Sequence, residues 1–287
     1  MDFGRLITAM VTPFNAQGNI HWEETGRLID YLIEEQKSDS LVVCGTTGES
    51  PTLSDEEKLS LFDYSVKRAA GRCKIIAGTG SNNTAHSIHL SQEAEKLGVD
   101  GVLLVAPYYN RPNQEGLYQH FAAIASSIKL PVMLYNVPLR TAVSISKETT
   151  LRLAQIPNIV AIKECVSIEQ VAFIAAGAPK GFVVYTGDDA SALPAISVGA
   201  YGVVSVASHL VGAEMKDMIS SLLNGEVNKA AELHHKLLPL FKGLFACPNP
   251  VAVKYALNER GYEVGSVRLP LIPPTEQEAA KILDLLK

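Results

Sequence analysis

The chain has 287 residues, 47% hydrophobic and 19% charged, with a formal net charge of −5. That is the balance of a globular protein long enough for a sizeable core, and no basic block or stripe marks a nucleic acid or an anionic membrane as a partner. No run of about 20 apolar residues is free of charged or turn residues, and Met1-Asp2-Phe3-Gly4-Arg5 does not open a secretory signal, so neither a membrane span nor export is expected.

Short apolar runs alternate with amphipathic stretches along the chain. Strands are predicted over 6–11, 41–44, 74–78, 101–106, 131–136, 159–164, 182–186 and 202–206. Helices are predicted over 23–36, 55–70, 84–97, 114–128, 147–155, 167–176, 189–198 and 210–223. Ser54 and Glu57 have capping-box spacing, and Gly71, Gly98 and Gly199 stand at helix ends. The strands are continuous apolar runs, as a parallel sheet covered on both faces requires. Repeated βα units predict an α/β protein closed as a (β/α)8 TIM barrel. An open doubly wound sheet would carry a Gly-rich dinucleotide turn after its first strand, and Thr12-Pro13-Phe14-Asn15 is not one. After residue 224 the strand rhythm stops, and 226–244, 248–260 and 275–287 read as helices. The expected organisation is a barrel over 1–224 and a C-terminal helical region over 225–287, which packs on the barrel or builds an oligomer contact.

The four cysteines, Cys44, Cys73, Cys165 and Cys247, form no CxxC pair and read as reduced thiols of a cytoplasmic protein. The seven histidines make no metal signature. His86 and His89 share a helix face and His234 and His235 are adjacent, without a carboxylate or thiolate at ligand spacing.

In a barrel of this kind the active site lies at the C-terminal ends of the strands. Lys163 sits there, inside the apolar run Ile159-Val160-Ala161-Ile162-Lys163-Glu164-Cys165. Such a lysine pairs with an acid such as Glu164, runs its stem to water, or does chemistry. Burial disfavours the charged form of an amine, and a neutral amine attacks a ketone to form a Schiff base. Gly45-Thr46-Thr47-Gly48-Glu49-Ser50 is either a tight turn or a small cradle for a carboxylate. Tyr135 is either a core aromatic or, at equal depth on a strand adjacent to Lys163, a proton shuttle. Arg140 is either a surface ion-pair partner or a clamp for a substrate carboxylate. Asp188-Asp189 abuts a helix start, where capping accounts for it better than a metal does.

Gly45-Thr46-Thr47-Gly48-Glu49, Tyr135-Asn136-Val137-Pro138, Ile162-Lys163 and Gly187-Asp188-Asp189, in this order and spacing, resemble the pyruvate-dependent class I aldolase superfamily. Within it the chain is most similar to the dihydrodipicolinate synthase family, over essentially its whole length. The resemblance implies a (β/α)8 barrel with a C-terminal helical region, assembled as a homotetramer of tight dimers. It implies condensation of pyruvate with L-aspartate 4-semialdehyde to 4-hydroxy-tetrahydrodipicolinate, in lysine and diaminopimelate biosynthesis. It assigns the Schiff base to Lys163 and a proton relay to Tyr135, Thr46 and Tyr109, the last supplied by the neighbouring subunit. Thr47 is implied as a contact to the pyruvate carboxylate and Arg140 as the holder of the second substrate's carboxylate. Gly187 and Val204 are implied as backbone contacts near the bound keto acid. The iminium is itself the electron sink, so no metal, nucleotide or pyridoxal cofactor is expected.

A related pyruvate aldolase acting on a 2-keto-3-deoxy sugar acid or N-acetylneuraminate is the alternative. It would keep Lys163 and Tyr135 but have no use for Arg140 as a clamp. Gly-Thr-Thr-Gly-Glu in place of Gly-Ser-Thr-Gly-Glu also favours the synthase. A barrel that only binds a keto acid would need no relay. Some family members bind inhibitory lysine at the tight-dimer interface. There the corresponding positions are Asp55, Lys58 and His86, all changed in polarity, while Asn82 and Tyr108 remain compatible. Weak or absent inhibition by lysine is expected.

Overall fold

A computed structural model describes residues 2–287. Eight parallel strands close into a barrel in simple chain order, β1 beside both β2 and β8. They are β1 (Leu6–Ala9), β2 (Ser40–Val43), β3 (Lys74–Gly78), β4 (Gly101–Val105), β5 (Val132–Asn136), β6 (Ile159–Glu164), β7 (Val183–Thr186) and β8 (Gly202–Ser205). The outer ring is α1 (Trp22–Glu34), α2 (Asp55–Ala69), α3 (Thr84–Lys96), α4 (Gln114–Ser126), α5 (Pro138–Thr141), α6 (Lys147–Leu153), α7 (Ile168–Gly177), α8 (Ala192–Ser197) and α9 (Ser208–Leu223). The C-terminal helical region adds α10 (Val227–Gly243), α11 (Val251–Glu259) and α12 (Glu276–Leu285). No helix among the described residues is long and apolar enough to cross a membrane.

Strand alternation divides the core in two. Leu6, Val43, Leu104, Leu134 and Ile162 point outward and pack under the helices. Ile7, Val42, Ile76, Leu103, Met133, Ala161 and Tyr185 point inward and fill the barrel. Phe3, 1% exposed, joins the inner cluster from the strands' N-terminal end and closes it. Gly101 leaves room for that ring, since a Cβ there would lie 2.7 Å from Phe3 Cζ.

All eight predicted strands are present, four of them ending a residue or two early. The capping box at Ser54 forms as expected, with Ser54 and Glu57 bonding each other's backbone. The single helix expected over 189–198 is instead a 3-10 turn, Asp189–Ser191, followed by α8. α5 was not expected from the pattern. It has only four residues, too few for a helical period, and starts on Pro138, whose fixed φ suits a first turn.

Two histidines are buried. His209, 0% exposed, bridges the turns after β1 and β8. Its Nε2 accepts from Val11 N at 3.1 Å and its Nδ1 donates to Val206 O at 2.8 Å, which fixes a neutral tautomer. Burial pushes His209 down to about 4 from 6.5. Burial does the same to His120, also to about 4, and its Nε2 has no partner. A basic group whose folded pKa is depressed contributes stability above its unfolded pKa, lost as pH falls toward the folded value. Unfolding in urea should therefore show a loss of about 1 kcal/mol per histidine between pH 7.5 and 5.5. A His120→Gln variant should lose less over the same interval, and equal losses would refute the neutral-histidine account.

Candidate active site

β5 and β6 run side by side with Tyr135 opposite Lys163. Both side chains point into the barrel at its C-terminal end, and Lys163 Nζ lies 4.3 Å from the centroid of the Tyr135 ring. Lys163 is 6% exposed. The bland reading of Lys163, an ion pair with Glu164, does not hold. Successive strand residues face opposite sides, and Glu164 spends its oxygens on Asn136, Gln170 and Val166 N. A buried amine with no carboxylate partner among the described residues is available for chemistry.

A cavity of about 490 Å³ opens over Lys163, lined by Thr46, Thr47, Tyr135, Arg140, Gly187 and Asn249 among others. Gly187 is there because nothing larger fits: a Cβ would lie 2.6 Å from Lys163 Cε and collide with Cys165 Sγ. Burial raises the Cys165 thiol to about 11, so it stays protonated beside the lysine. Arg140 stands exposed on α5 at the rim and has no ion-pair partner among the described residues, leaving its guanidinium free for an incoming anion. Val204 is buried in the barrel interior, and the cavity wall from that strand end is Val206.

Tyr109 does not join this group. It sits on the β4–α4 loop at φ +72, 91% exposed, and lines neither this cavity nor its neighbour. Asn82 and Asn110 brace the loop, donating to Tyr108 O at 3.2 Å and Asn82 O at 2.8 Å. The phenol therefore projects away from its own barrel.

The Thr46-Thr47 turn is held in an unusual shape, with Cys44 at φ +56 and Glu49 at φ +57. What holds it comes from the C-terminal region. Lys254 of α11, 1% exposed, bonds Glu49 Oε1 at 3.0 Å, Thr12 O at 2.9 Å and Ser266 O at 2.6 Å. Arg268 N donates to Glu49 Oε2 at 2.8 Å, and the Arg268 guanidinium grips Glu57. Burial pulls Lys254 down to about 8 against the opposing pull of Glu49. Asn249 Nδ2 donates to Thr47 Oγ1 at 2.9 Å. Thr47 Oγ1 is thereby an acceptor toward Asn249, which frees its own O–H to donate into the cavity. Sequence reasoning missed Asn249 and Lys254. The available signal for Lys254 was its place inside the apolar run Val251-Ala252-Val253-Lys254-Tyr255-Ala256.

Asp189 corrects one expectation. It does not cap its own helix. Its Oδ2 accepts from Val206 N at 3.1 Å and Ala207 N at 2.9 Å, tying the turn after β7 to the start of α9. No cluster of three or more His, Cys, Asp or Glu among the described residues is placed to hold a metal. A second cavity of about 600 Å³ lies beside the first, sharing Thr46, Tyr135 and Arg140 and lined further by Lys58, Asn82, His86 and Tyr108. Asp55 joins its polar groups, 2.8 Å from His86 Nε2 and 3.4 Å from Lys58 Nζ. Burial raises the Asp55 carboxyl, but these two contacts outweigh it and hold it below the ordinary range.

The match to known proteins spans the molecule. Residues 2–287 fit the Dihydrodipicolinate synthetase family. The chain belongs to that family. A Bacillus subtilis protein named 4-hydroxy-tetrahydrodipicolinate synthase is 58% identical over 280 residues, 97% of this chain and 96% of that one. A dihydrodipicolinate synthase structure from Bacillus anthracis superposes with a TM-score of 0.98 at 51% identity, covering 100% of this chain and 98% of that one. The Cyanidioschyzon merolae enzyme with lysine bound gives 0.97 at 42% identity, covering 99% and 97%. The expected barrel and the expected family therefore both hold.

Replacing Lys254 by Met leaves Glu49 buried without its cation, which should cost roughly 3–5 kcal/mol in urea unfolding. A Glu49→Gln, Lys254→Met double variant should recover much of that loss. A cost below about 1 kcal/mol would place the pair among exposed ones that contribute little.

Proposed function

We propose that this chain condenses pyruvate with L-aspartate 4-semialdehyde through a Schiff base on Lys163, giving 4-hydroxy-tetrahydrodipicolinate for lysine and diaminopimelate biosynthesis. The observation that carries the reading is a buried, acid-free Lys163 against Tyr135 at the floor of a cavity with a free arginine at its rim. The amine adds to the pyruvate ketone and water leaves, giving an iminium. The iminium acidifies the methyl group, and loss of one proton gives an enamine whose carbon bonds to the aldehyde carbon, the aldehyde oxygen taking a proton. The amine of the second substrate then adds to the regenerated iminium, closing the ring as Lys163 leaves. Tyr135, its ring centroid 4.3 Å from the nitrogen, is the proton carrier, with Thr46 on the same cavity wall.

Thr47, its hydroxyl oriented by Asn249, supports binding of the pyruvate carboxylate. Arg140 supports binding of the second carboxylate by a bidentate contact. Gly187 borders the keto acid through its backbone, and the strand end after Val204 completes that wall with Val206. Tyr109 completes the relay in a neighbouring subunit, a role its 91% exposure and outward placement support. The working unit is then a homotetramer built from tight dimers, in the cytoplasm.

The test is borohydride reduction with pyruvate followed by peptide mapping. An adduct at Lys163 is expected, and its absence would sink the reading. Arg140→Ala should keep adduct formation and lower turnover of aspartate semialdehyde by roughly a hundredfold or more. Undiminished turnover in that variant would refute the clamp role of Arg140, and a wild-type protein that forms the adduct but does not turn over aspartate semialdehyde would move the assignment to the sugar-acid aldolases.

Lysine at submillimolar concentration should leave the rate unchanged. Lys58 adds a cation and His86 replaces a carboxylate where the ammonium groups of lysine would need anions. Clear inhibition in that range would refute this.

A further inference from the structure

Behind the reacting pair lies a second polar cluster. Asn136 and Glu164 face each other one residue beyond Tyr135 and Lys163 in the β5–β6 register. Alternation sends them to the outer face, between barrel and helices, where they are 0% and 1% exposed. The preceding outward positions, Leu134 and Ile162, are apolar core residues. Asn136 Nδ2 lies 3.2 and 3.1 Å from the two Glu164 oxygens. Gln170 Nε2, from α7, donates to Oε2 at 3.0 Å, and Val166 N donates to Oε1 at 2.9 Å. The carboxylate is thus held by neutral donors alone. Asn136 also grips Ile145, accepting from its N at 2.9 Å and donating to its O at 3.1 Å. Ile145 lies on the segment that returns from α5, the helix carrying Arg140.

We propose that Asn136, Glu164 and Gln170 are positioning residues that lock β5 against β6 at the rung of Tyr135 and Lys163 and fix the segment behind Arg140. A buried carboxylate is costly at a place where an apolar pair would pack. Hydrogen bonds are directional over tenths of an ångström, whereas apolar contacts tolerate sliding. The inference rests on the imine reading of Lys163, and its test separates the two.

The rate of borohydride-trapped pyruvate at Lys163 is measured for Asn136→Asp, for the Asn136→Asp, Glu164→Gln double variant and for wild type, well below each thermal midpoint by circular dichroism. Asn136→Asp sets two carboxylates against each other, and trapping should fall roughly ten- to a hundredfold. The double variant restores an amide–carboxylate pair with roles exchanged and should regain most of the rate. Should Asn136→Asp not fold, Gln170→Leu removes one donor from a half-buried helix position and should give a smaller fall in the same direction. Wild-type trapping rates in the folded single variants, or a double variant no faster than Asn136→Asp, overturn the inference while leaving the imine reading intact. A wild-type protein that traps no pyruvate overturns the imine reading and this inference with it.

Discussion

Everything at the site depends on one strand pairing. β5 and β6 meet with Tyr135 opposite Lys163, so a phenol and an amine from separate strands share one rung at the mouth of the barrel. A slip of β6 by one residue against β5 would turn Lys163 toward the helices and bring Glu164 into the cavity opposite Tyr135. The same register sets the outward pair, whose hydrogen bonds reach α7 and the segment after α5. Alignment of the reacting groups and attachment of the surrounding loops are consequences of a single pairing.

The second constraint acts from the far end of the chain. Glu49 and Lys254 form a buried ion pair whose remaining donors and acceptors are occupied by Thr12 O, Ser266 O and Arg268 N. Partners arranged in this way offset part of the desolvation penalty that leaves isolated buried charges intolerable. It fastens a turn with two left-handed non-glycine residues, Cys44 and Glu49, to α11. The C-terminal region is therefore a wall of the active site as well as a cover for the barrel, and Asn249 reaches the cavity from the connection between α10 and α11.

Much of this was legible in the residues. Parallel strands buried on both faces must be apolar throughout, so the eight runs stood out. The rule that chemistry gathers at strand ends then selected Thr46, Tyr135, Arg140, Lys163 and Gly187, all of which line the cavity. Asn249 and Lys254 escaped because their partners, Thr47 and Glu49, lie 202 and 205 residues away and no local pattern links them. Asp189 looked like a cap on its own helix because its acceptor role is local in type, yet the amides it takes belong to the next βα turn. Tyr109 stands apart from the group its loop position suggested, its ring exposed on the β4–α4 loop.

The closure of the barrel by Phe3 has a kinetic meaning. With the N-terminal end sealed and the interior filled by Ile7, Met133, Ala161 and Tyr185, the cavity is closed toward that end and entered from the C-terminal ends of the strands. Two reactants that enter from the same end and sit at different depths cannot exchange places inside it. On the proposed chemistry, the one that bonds to the lysine at the floor enters first, and its released water leaves before the second takes its place beneath Arg140. Order of addition is then a property of the vessel's shape, set by side chains at the end of the barrel opposite the chemistry.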